Sequence, residues 1–452
     1  QWPALPTSRA ARLLAILQQL EETQWWSAEQ LLGHQFQQLQ RLFAHACQTV
    51  PLYQQQAEQM GLSASQRLTP SRWRQLPILT REQLQTNSEQ FLSQSIPQGH
   101  QVLDTVNTSG STGRPVSVHT TGITQLFWQV FALREHQWHQ RDLTKTLASI
   151  RLFPKGHPAF RAEHRIESWG TPANLLYQTG PTVMFDLQSD IEKQLTWLQR
   201  QNPEYLLTFP SNALALAQLC QERQVSLPKL REVRTVSEVV DQQVRQACRQ
   251  VWNAVVTDVY SSQEVGYIAL QCPQHEHYHI QAENIYVEIL DQAGNPCSPG
   301  EIGRVVVTPL HNFAMPLLRY DIGDYAEVGA PCPCGRGLPV LNRILGRVRN
   351  MLVLPSGERR WPILGEQRYA QIAPAIRQHQ MIQRDLEHIE MRFVVDQPLT
   401  AAEETELRKF ILSSQLRHPF QLSFCYPDAI ERSTSGKFEE FLCQVPDAAR
   451  IA

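Results

Sequence analysis

Nothing in this 452-residue chain approaches the ~18 consecutive apolar residues that cross a bilayer. The opening segment QWPALPTSRAARLLAILQQL lacks the basic start, apolar centre and small-residue cleavage site of a secretory leader. A charge excess is missing too: 41 Lys+Arg against 43 Asp+Glu give a formal −2. Nucleic-acid binders carry a basic face, so no nucleic-acid partner is expected. Charged residues make up 19% of the chain and hydrophobic residues 42%, a balance that excludes disorder and supplies a sizeable core. Internal repeats and low-complexity linkers are absent. These absences leave a globular, cytoplasmic protein as the expectation. Its length sets a soft prior of roughly three domains.

Cysteine is present, but not as a disulfide framework, because nine is an odd number in a long chain. Cys47, Cys220, Cys248, Cys425 and Cys443 are scattered, whereas Cys272, Cys332 and Cys334 accompany the histidine run CPQHEHYH at 272–279.

The first hundred residues read as a helical lead-in. Leu31, Leu32, Phe36, Leu39, Leu42, Phe43 and Ala46 fall on one stripe at helical spacing. Thr80 and Gln83 fit a capping box opening a second helix, TREQLQTNSEQFL. From about residue 100 the pattern turns to strands, VLDTVNTSG, PEYLLTFP, REVRTVSEVV and NAVVTDVYSS, each expected to lead into a helix. That alternation predicts an α/β fold with at least partly parallel strands. Between about 279 and 328, alternating strands around Gly- and Pro-rich turns predict hairpins. Beyond Gly346 two strand–helix units, from MLVLPSG and from IEMRFVVDQ, predict a separate small α+β domain. The expected division is a body over 1–346 and a mobile cap over 347–452.

Four segments offer chemistry. Thr108-Ser109-Gly110-Ser111-Thr112-Gly113-Arg114-Pro115 presents hydroxyls and open backbone N–H groups that can wrap an anion, and reads equally as a flexible turn. It is neither a Walker loop nor G-x-G-x-x-G. Tyr260-Ser261-Ser262-Gln-Glu264-Val-Gly266 ends an apolar strand with a carboxylate that can hold Mg²⁺ against phosphates, or simply be solvated. Arg319-Tyr-Asp-Ile-Gly-Asp324 offers an acid for ribose hydroxyls or for capping a turn. Arg432-Ser-Thr-Ser-Gly436-Lys437 presents a lysine on a polar loop, able to reach a distant site or to stay on the surface.

Taken together and in order, these segments resemble the adenylate-forming superfamily of acyl–CoA and acyl–carrier ligases, most of all the phenylacetate–CoA ligases and their relatives in capsule-type polysaccharide clusters. TSGSTGRP looks like the phosphate loop, VRTVSEVV the adenine-side segment, YSSQEVG the adenine and Mg²⁺ segment, RYDIGD the ribose segment, RILGRVRNM the hinge and RSTSGKF the segment of the catalytic lysine. The resemblance runs from LFAHACQTVPLY to near the C-terminus. Neither a nucleotidyl-ligase Lys-x-Asp-Gly nor a kinase His-Arg-Asp is present.

The resemblance implies ATP-dependent formation of an acyl-AMP, then thioester formation on CoA or on a phosphopantetheine carrier protein. Adenylation needs no protein nucleophile, so catalysis is positioning and charge stabilisation. By the resemblance, Thr108–Arg114 would hold the phosphates and Glu264 the Mg²⁺. Lys437 would bring a cation to the α-phosphate and substrate carboxylate. Asp324 would anchor the ribose with Arg347 and the hinge residue Arg343 beside it, and Ser237, Glu238 and Tyr260 would flank adenine. Relatives of this kind are commonly homodimers.

Three departures stand out. Arg114 replaces the usual lysine, which keeps charge but not its point-like geometry. Val348-Arg349-Asn350 follows Arg347 where an acidic hinge residue is the rule. ESWGTPANLLYQTG differs where acyl-pocket residues would be sought, so the acid is expected only as an aryl or other small organic acid. Transfer to an amine is the alternative second step, and a non-catalytic nucleotide-binding scaffold the alternative class.

The cysteines offer a tetrahedral thiolate–imidazole set of the sort structural zinc takes, or three reduced thiols with no metal. Phenylacetate-ligase relatives often hold zinc with a cysteine, a histidine seven residues on and a CPCGR segment. Cys272, His279, Cys332 and Cys334 match that pattern, with His275 and His277 as competing ligands.

Overall fold

The structure, a computed structural model, describes residues 5–62, 66–107, 116–347, 351–360, 367–433 and 436–445. The chain forms two compact units, one of Gln1–Val240 with Cys248–Leu345, the other of Asp241–Ala247 with Gly346–Ala452.

The larger unit opens with α1 (Ser8–Thr23), α2 (Ala28–Thr49), α3 (Pro51–Gln59), α4 (Pro70–Trp73) and α5 (Arg81–Thr86). Helix α2 starts on a Ser27–Gln30 capping box and buries Leu31, Leu39, Leu42, Phe43 and Ala46. Leu32 does not join that stripe and stays 39% exposed. Its expected place is taken by Gln35, buried because its amide donates to the Ala282 and Ile285 carbonyls at 2.8 and 3.1 Å. A polar residue enters the core when backbone acceptors satisfy it. Helix α5 carries the Thr80–Gln83 capping box.

Next come β1 (Val102–Asn107), β2 (Ser117–Thr121), α6 (Gly122–Trp138), β3 (Leu147–Arg151), β4 (His164–Ile166), α7 (Ala173–Leu176), β5 (Thr182–Asp186), α8 (Ile191–Gln201), β6 (Tyr205–Thr208), α9 (Pro210–Arg223), β7 (Glu232–Thr235) and α10 (Gln242–Trp252). β8 (Val255–Ser262), β9 (Gly266–Gln271), β10 (Tyr278–Ile280), β11 (Ile285–Leu290), β12 (Ile302–Pro309), β13 (Tyr320–Val328) and β14 (Val340–Arg347) complete the series. A twelve-stranded sheet runs β11-β12-β13-β14-β10-β9-β8-β7-β6-β3-β5-β4. Its β5-β3-β6-β7-β8 stretch is parallel, in register Ser149↔Leu207↔Arg234↔Thr257. The architecture is therefore mixed α/β.

Two strands read from sequence do not lead into helices. β1 pairs antiparallel with β2, and β8 turns back antiparallel into β9. The second reversal uses Gly266 at φ +84°, a left-handed conformation that glycine adopts without Cβ cost. The hairpins read between 279 and 328 are present, with β11–β12 and β12–β13 antiparallel.

In the smaller unit, β15 (Leu352–Val353), β16 (Arg359–Arg360), α11 (Gln367–Ile372), β17 (Ile376–Gln383), β18 (His388–Val395), α12 (Ala401–Phe410), β19 (Gln421–Cys425) and β20 (Phe441–Cys443) follow one another. A π-helical turn, Ile411–Leu416, extends α12. Its main sheet is β19-β18-β17-β20, packed around Tyr369, Met381, Met391, Phe393, Leu407, Ile411 and Phe441. Among the described residues no helix is long and apolar enough to cross a membrane.

Candidate active site and thiol–imidazole cluster

In an open α/β sheet ligands bind beyond the carboxyl ends of the parallel strands, and the larger unit gathers its chemistry there. At the end of β7, Thr235 donates to Asp258 Oδ1 (2.8 Å), which Tyr278 also holds through Oδ2 (2.7 Å). The chain then turns at Ser237, a non-glycine residue at φ +76°. Glu238 Oε2 accepts from the Ser211 amide at 3.0 Å, placing a carboxylate on the N-terminus of α9, where the helix dipole favours it.

At the end of β8 the Tyr260 hydroxyl donates to Asp324 Oδ2 at 2.9 Å, tying the strand to β13. Ser261 and Ser262 close β8, and Ser262 Oγ is buried with no hydrogen-bond partner among the described residues. Glu264 follows in the turn, buried, and pairs with Arg81 across 2.8 Å. Arg81 Nη1 also donates to the Tyr320 hydroxyl at 3.4 Å. Backbone bonds from Leu79 N to Arg319 O and from Asp321 N to Leu79 O hold the start of α5 against β13. Three separated segments thus meet: α5, the β8–β9 turn and β13.

A buried charge network underlies the sheet. Arg141 Nη2 reaches Glu135 Oε1 (2.8 Å) and Glu232 Oε1 (2.6 Å), while Arg234 Nη2 reaches Glu135 Oε2 (2.7 Å). Burial alone would raise the carboxyl pKa of Glu135 and Glu232, but the arginines outweigh it and hold both below the usual range. Burial and the same two arginines push the His136 imidazole well below its ordinary value, so it is neutral.

Arg343 is exposed and donates to Glu327 at 2.6 Å, and Arg347 ends β14. In the smaller unit Lys437 sits in a tight loop, where its carbonyl accepts from Ser433 N at 2.9 Å and Gly436 takes φ +76°. Thr108, Ser109, Gly110, Ser111, Thr112, Gly113 and Arg114 lie outside the described residues, between β1 and β2. Arg81 and Tyr320 were not singled out from sequence. The capping box announced a helix start at Arg81, but nothing local announces a partner 183 positions away.

Elsewhere in the larger unit, one donor atom each from Cys272, His277, His279 and Cys332 lies within 4.8 Å of the others. The Cys272 and Cys332 sulfurs are 3.8 Å apart, and His277 Nε2 is 3.0 Å from Cys332 Sγ. Two thiolates on one tetrahedral zinc would stand about 3.8 Å apart. Cys334 falls outside that set of four, although its sulfur is 3.4 Å from His279 Nε2 and 3.6 Å from Arg336 Nη1. His275 stacks on His277 with ring centroids 5.1 Å apart. Burial pushes the Cys332 thiol up to about 12 and the His279 imidazole down to about 4. A neutral imidazole is the ligating form, and such a thiol ionises when a cation accepts it. The donor set fits a soft divalent ion.

Residues 32–314 match the family model described as AMP-binding enzyme. The chain is 26% identical over 393 residues to a phenylacetate-coenzyme A ligase of Thermus thermophilus, covering 82% of both chains. It is 25% identical over 339 residues to the phenylacetate-coenzyme A ligase of Escherichia coli, covering 73% of this chain and 74% of that one. Among solved structures, 2-hydroxyisobutyryl-CoA ligase in the postadenylation state with 2-HIB-AMP superposes with a TM-score of 0.70. That match covers 91% of this chain and 89% of that one at 18% identity. An anthranilate CoA ligase with anthranoyl-AMP gives a TM-score of 0.55 at 15% identity, over 75% and 65% of the respective chains. These likenesses establish a shared fold.

Proposed function

Because the chain belongs to the AMP-binding enzyme family, we propose that it uses ATP to convert a carboxylic acid into an acyl-adenylate and then a CoA thioester. A carboxylate oxygen bonds to the α-phosphorus as the bond to pyrophosphate breaks. The CoA thiol then attacks the acyl carbon, AMP leaves with the bonding pair, and the thiol proton passes to solvent.

The observation that carries the reading is the meeting of Tyr260, Asp324 and Glu264 at the carboxyl end of β8. Asp324 is oriented by Tyr260 and would accept from the ribose hydroxyls. Ser262 Oγ, at the end of the same strand as Tyr260, is buried without a hydrogen-bond partner among the described residues, and Ser237 and Glu238 would border the adenine. Mg²⁺ supplies charge neutralisation of the phosphates when bound, and Glu264 is the residue that would hold it. Thr108–Arg114 would supply phosphate donors, with Arg343 and Arg347 on the ribose side. Lys437 would offset the charge that builds between the α-phosphate and the incoming carboxylate. These assignments are the roles that the resemblance of the segments implies.

In the same reading a structural zinc ion would be held by Cys272, His279 and Cys332, with His277 or Cys334 completing the set. Four protein donors leave no open position for catalysis. Its residues fasten the β9–β10 turn to the segment following β13.

Exchange of labelled pyrophosphate into ATP, driven by a panel of aryl and aliphatic acids, tests the first step. AMP release on adding CoA tests the second. Bound ATP without exchange for any acid would instead favour a nucleotide-binding scaffold.

A further inference from the structure

Arg151 ends β3, on the same side of the parallel sheet as Ser149, whose Oγ accepts from Arg151 Nε at 3.0 Å. The neighbouring charges are committed elsewhere. Arg234 is held by Glu135, and Arg141 by Glu135 and Glu232. Asp186, the register neighbour of Arg151 on β5, turns its carboxylate to the amides of Arg161 (2.7 Å) and Gln188 (2.9 Å). Among the described residues the recorded partners of the Arg151 side chain are Ser149 and the Phe153 ring, 5.8 Å away, with no carboxylate.

Arg151 is exposed to solvent, yet surrounding protein and then Arg234 lower its pKa. Phe153, buried, and His157, stacked on it with centroids 4.7 Å apart, lie on the side of the guanidinium that faces the Phe153 ring. A partly desolvated guanidinium without a counter-ion is a cost that a bound anion offsets, and its planar fork matches a carboxylate. β3 stands two strand spacings from β7, about 10 Å. A short dicarboxylic or carboxylated aryl acid together with the arginine side chain spans that gap.

We propose that the acid this enzyme activates carries a second anionic group, which Arg151 binds at the carboxyl end of β3. The inference rests on the adenylating reading and adds to it a substrate class. Arg151 is a binding residue for the remote end of the acid and takes no part in bond making.

The test is ATP–pyrophosphate exchange with the full-length enzyme and no CoA, using matched acids: phenylacetate against 4-carboxyphenylacetate, and hexanoate against adipate. The dianionic member of at least one pair is expected to show a kcat/KM about ten- to a hundredfold higher, the range of a charge-assisted hydrogen bond. In Arg151→Gln that ratio falls by about tenfold or more, and Arg151→Lys recovers part of it. A preference for the monoacids in every pair, or a ratio that Arg151→Gln leaves unchanged, overturns the inference while adenylation stands. So does an Arg151→Gln enzyme that exchanges normally with every acid and shows only a raised KM for CoA when AMP release is then measured with CoA present, which would assign the cation to the acceptor's phosphates. No exchange with any acid overturns the adenylating reading, and the inference with it.

Discussion

Arg81 and Glu264 stand 2.8 Å apart, 183 residues apart in the chain, and together close the β8–β9 turn. The carboxylate that would meet a magnesium–nucleotide complex is thus already neutralised by a cation. The Thr80–Gln83 capping box fixes the first turn of α5 and, with it, the position of Arg81. Two elements of independent origin in the sequence set the charge at one point.

Replacing Arg81 with Gln leaves Glu264 buried without that cation. Stability should fall by about 3 kcal/mol, as when one partner of a buried pair is removed, read as a lower urea midpoint. An unaltered midpoint would show that the pair carries little energy. Glu264→Gln should instead lower kcat for adenylation by about a hundredfold, the scale of one lost electrostatic contact to the transition state.

Asp324→Ala is expected to raise KM for ATP by about ten- to a hundredfold. Tyr260→Phe keeps the Asp324 charge and should cost about threefold to tenfold. If Tyr260→Phe proves the more damaging, orientation of Asp324 is not what the hydroxyl provides.

Lys437→Ala should abolish measurable pyrophosphate exchange while the thermal midpoint moves by no more than a few degrees, since Lys437 is half-buried in a loop outside the core. Retained exchange would remove Lys437 from the mechanism.

Purified protein should contain close to one zinc per chain by elemental analysis, lost in Cys332→Ser. Chelation should lower the thermal midpoint, because binding to the folded state alone stabilises it. Absence of stoichiometric metal would leave the cluster as reduced thiols.

Acid should destabilise the protein in two stages. His136 lies well below its ordinary pKa of 6.5 and His311 is lowered to about 4, both chiefly by burial. Their unfolded forms therefore take up protons that the folded forms refuse. Stability is full above about pH 6.5 and declines as pH falls toward 4. Glu135 and Glu232, depressed by their arginines, add a further loss below about pH 4.5. Urea midpoints across pH 8 to 3.5 read this directly, and His311→Gln should flatten the first stage. A midpoint constant down to pH 5 would contradict the assignment.

The α/β alternation, the α2 stripe, the Thr80–Gln83 cap and the β11–β13 hairpins were legible because each rests on local periodicity or turn chemistry. β17 escaped, since IRQHQMIQ is largely polar. Gln383 is nonetheless buried there, bonded to both N and O of Val353 at 2.9 and 2.7 Å. Gln35 deceived for the same reason: its burial depends on carbonyls 247 and 250 residues away. The closeness of His277 to Cys332 depends on the loop closed by Cys272 N and His277 O at 2.8 Å, a turn that spacing alone did not favour over His279. Arg151 was unreadable as a site because its distinction is a missing partner, which exists only once neighbouring strands have engaged the other charges.

Arg336 lies between the rings of Trp25 (4.8 Å) and Trp138 (4.5 Å), donates to Gln24 at 2.8 Å and reaches Cys334 Sγ at 3.6 Å. Next to it, Gly337 packs so closely on Trp26 that a Cβ would come within 1.8 Å of its carbonyl oxygen. The family model begins only at residue 32, yet this arginine is sandwiched by a residue that precedes that point. The packing of the larger unit therefore reaches further toward the N-terminus than the residues the family model matches. A chain trimmed to begin at residue 32 would lack half of the aromatic pair around Arg336, although every residue in the family match remained.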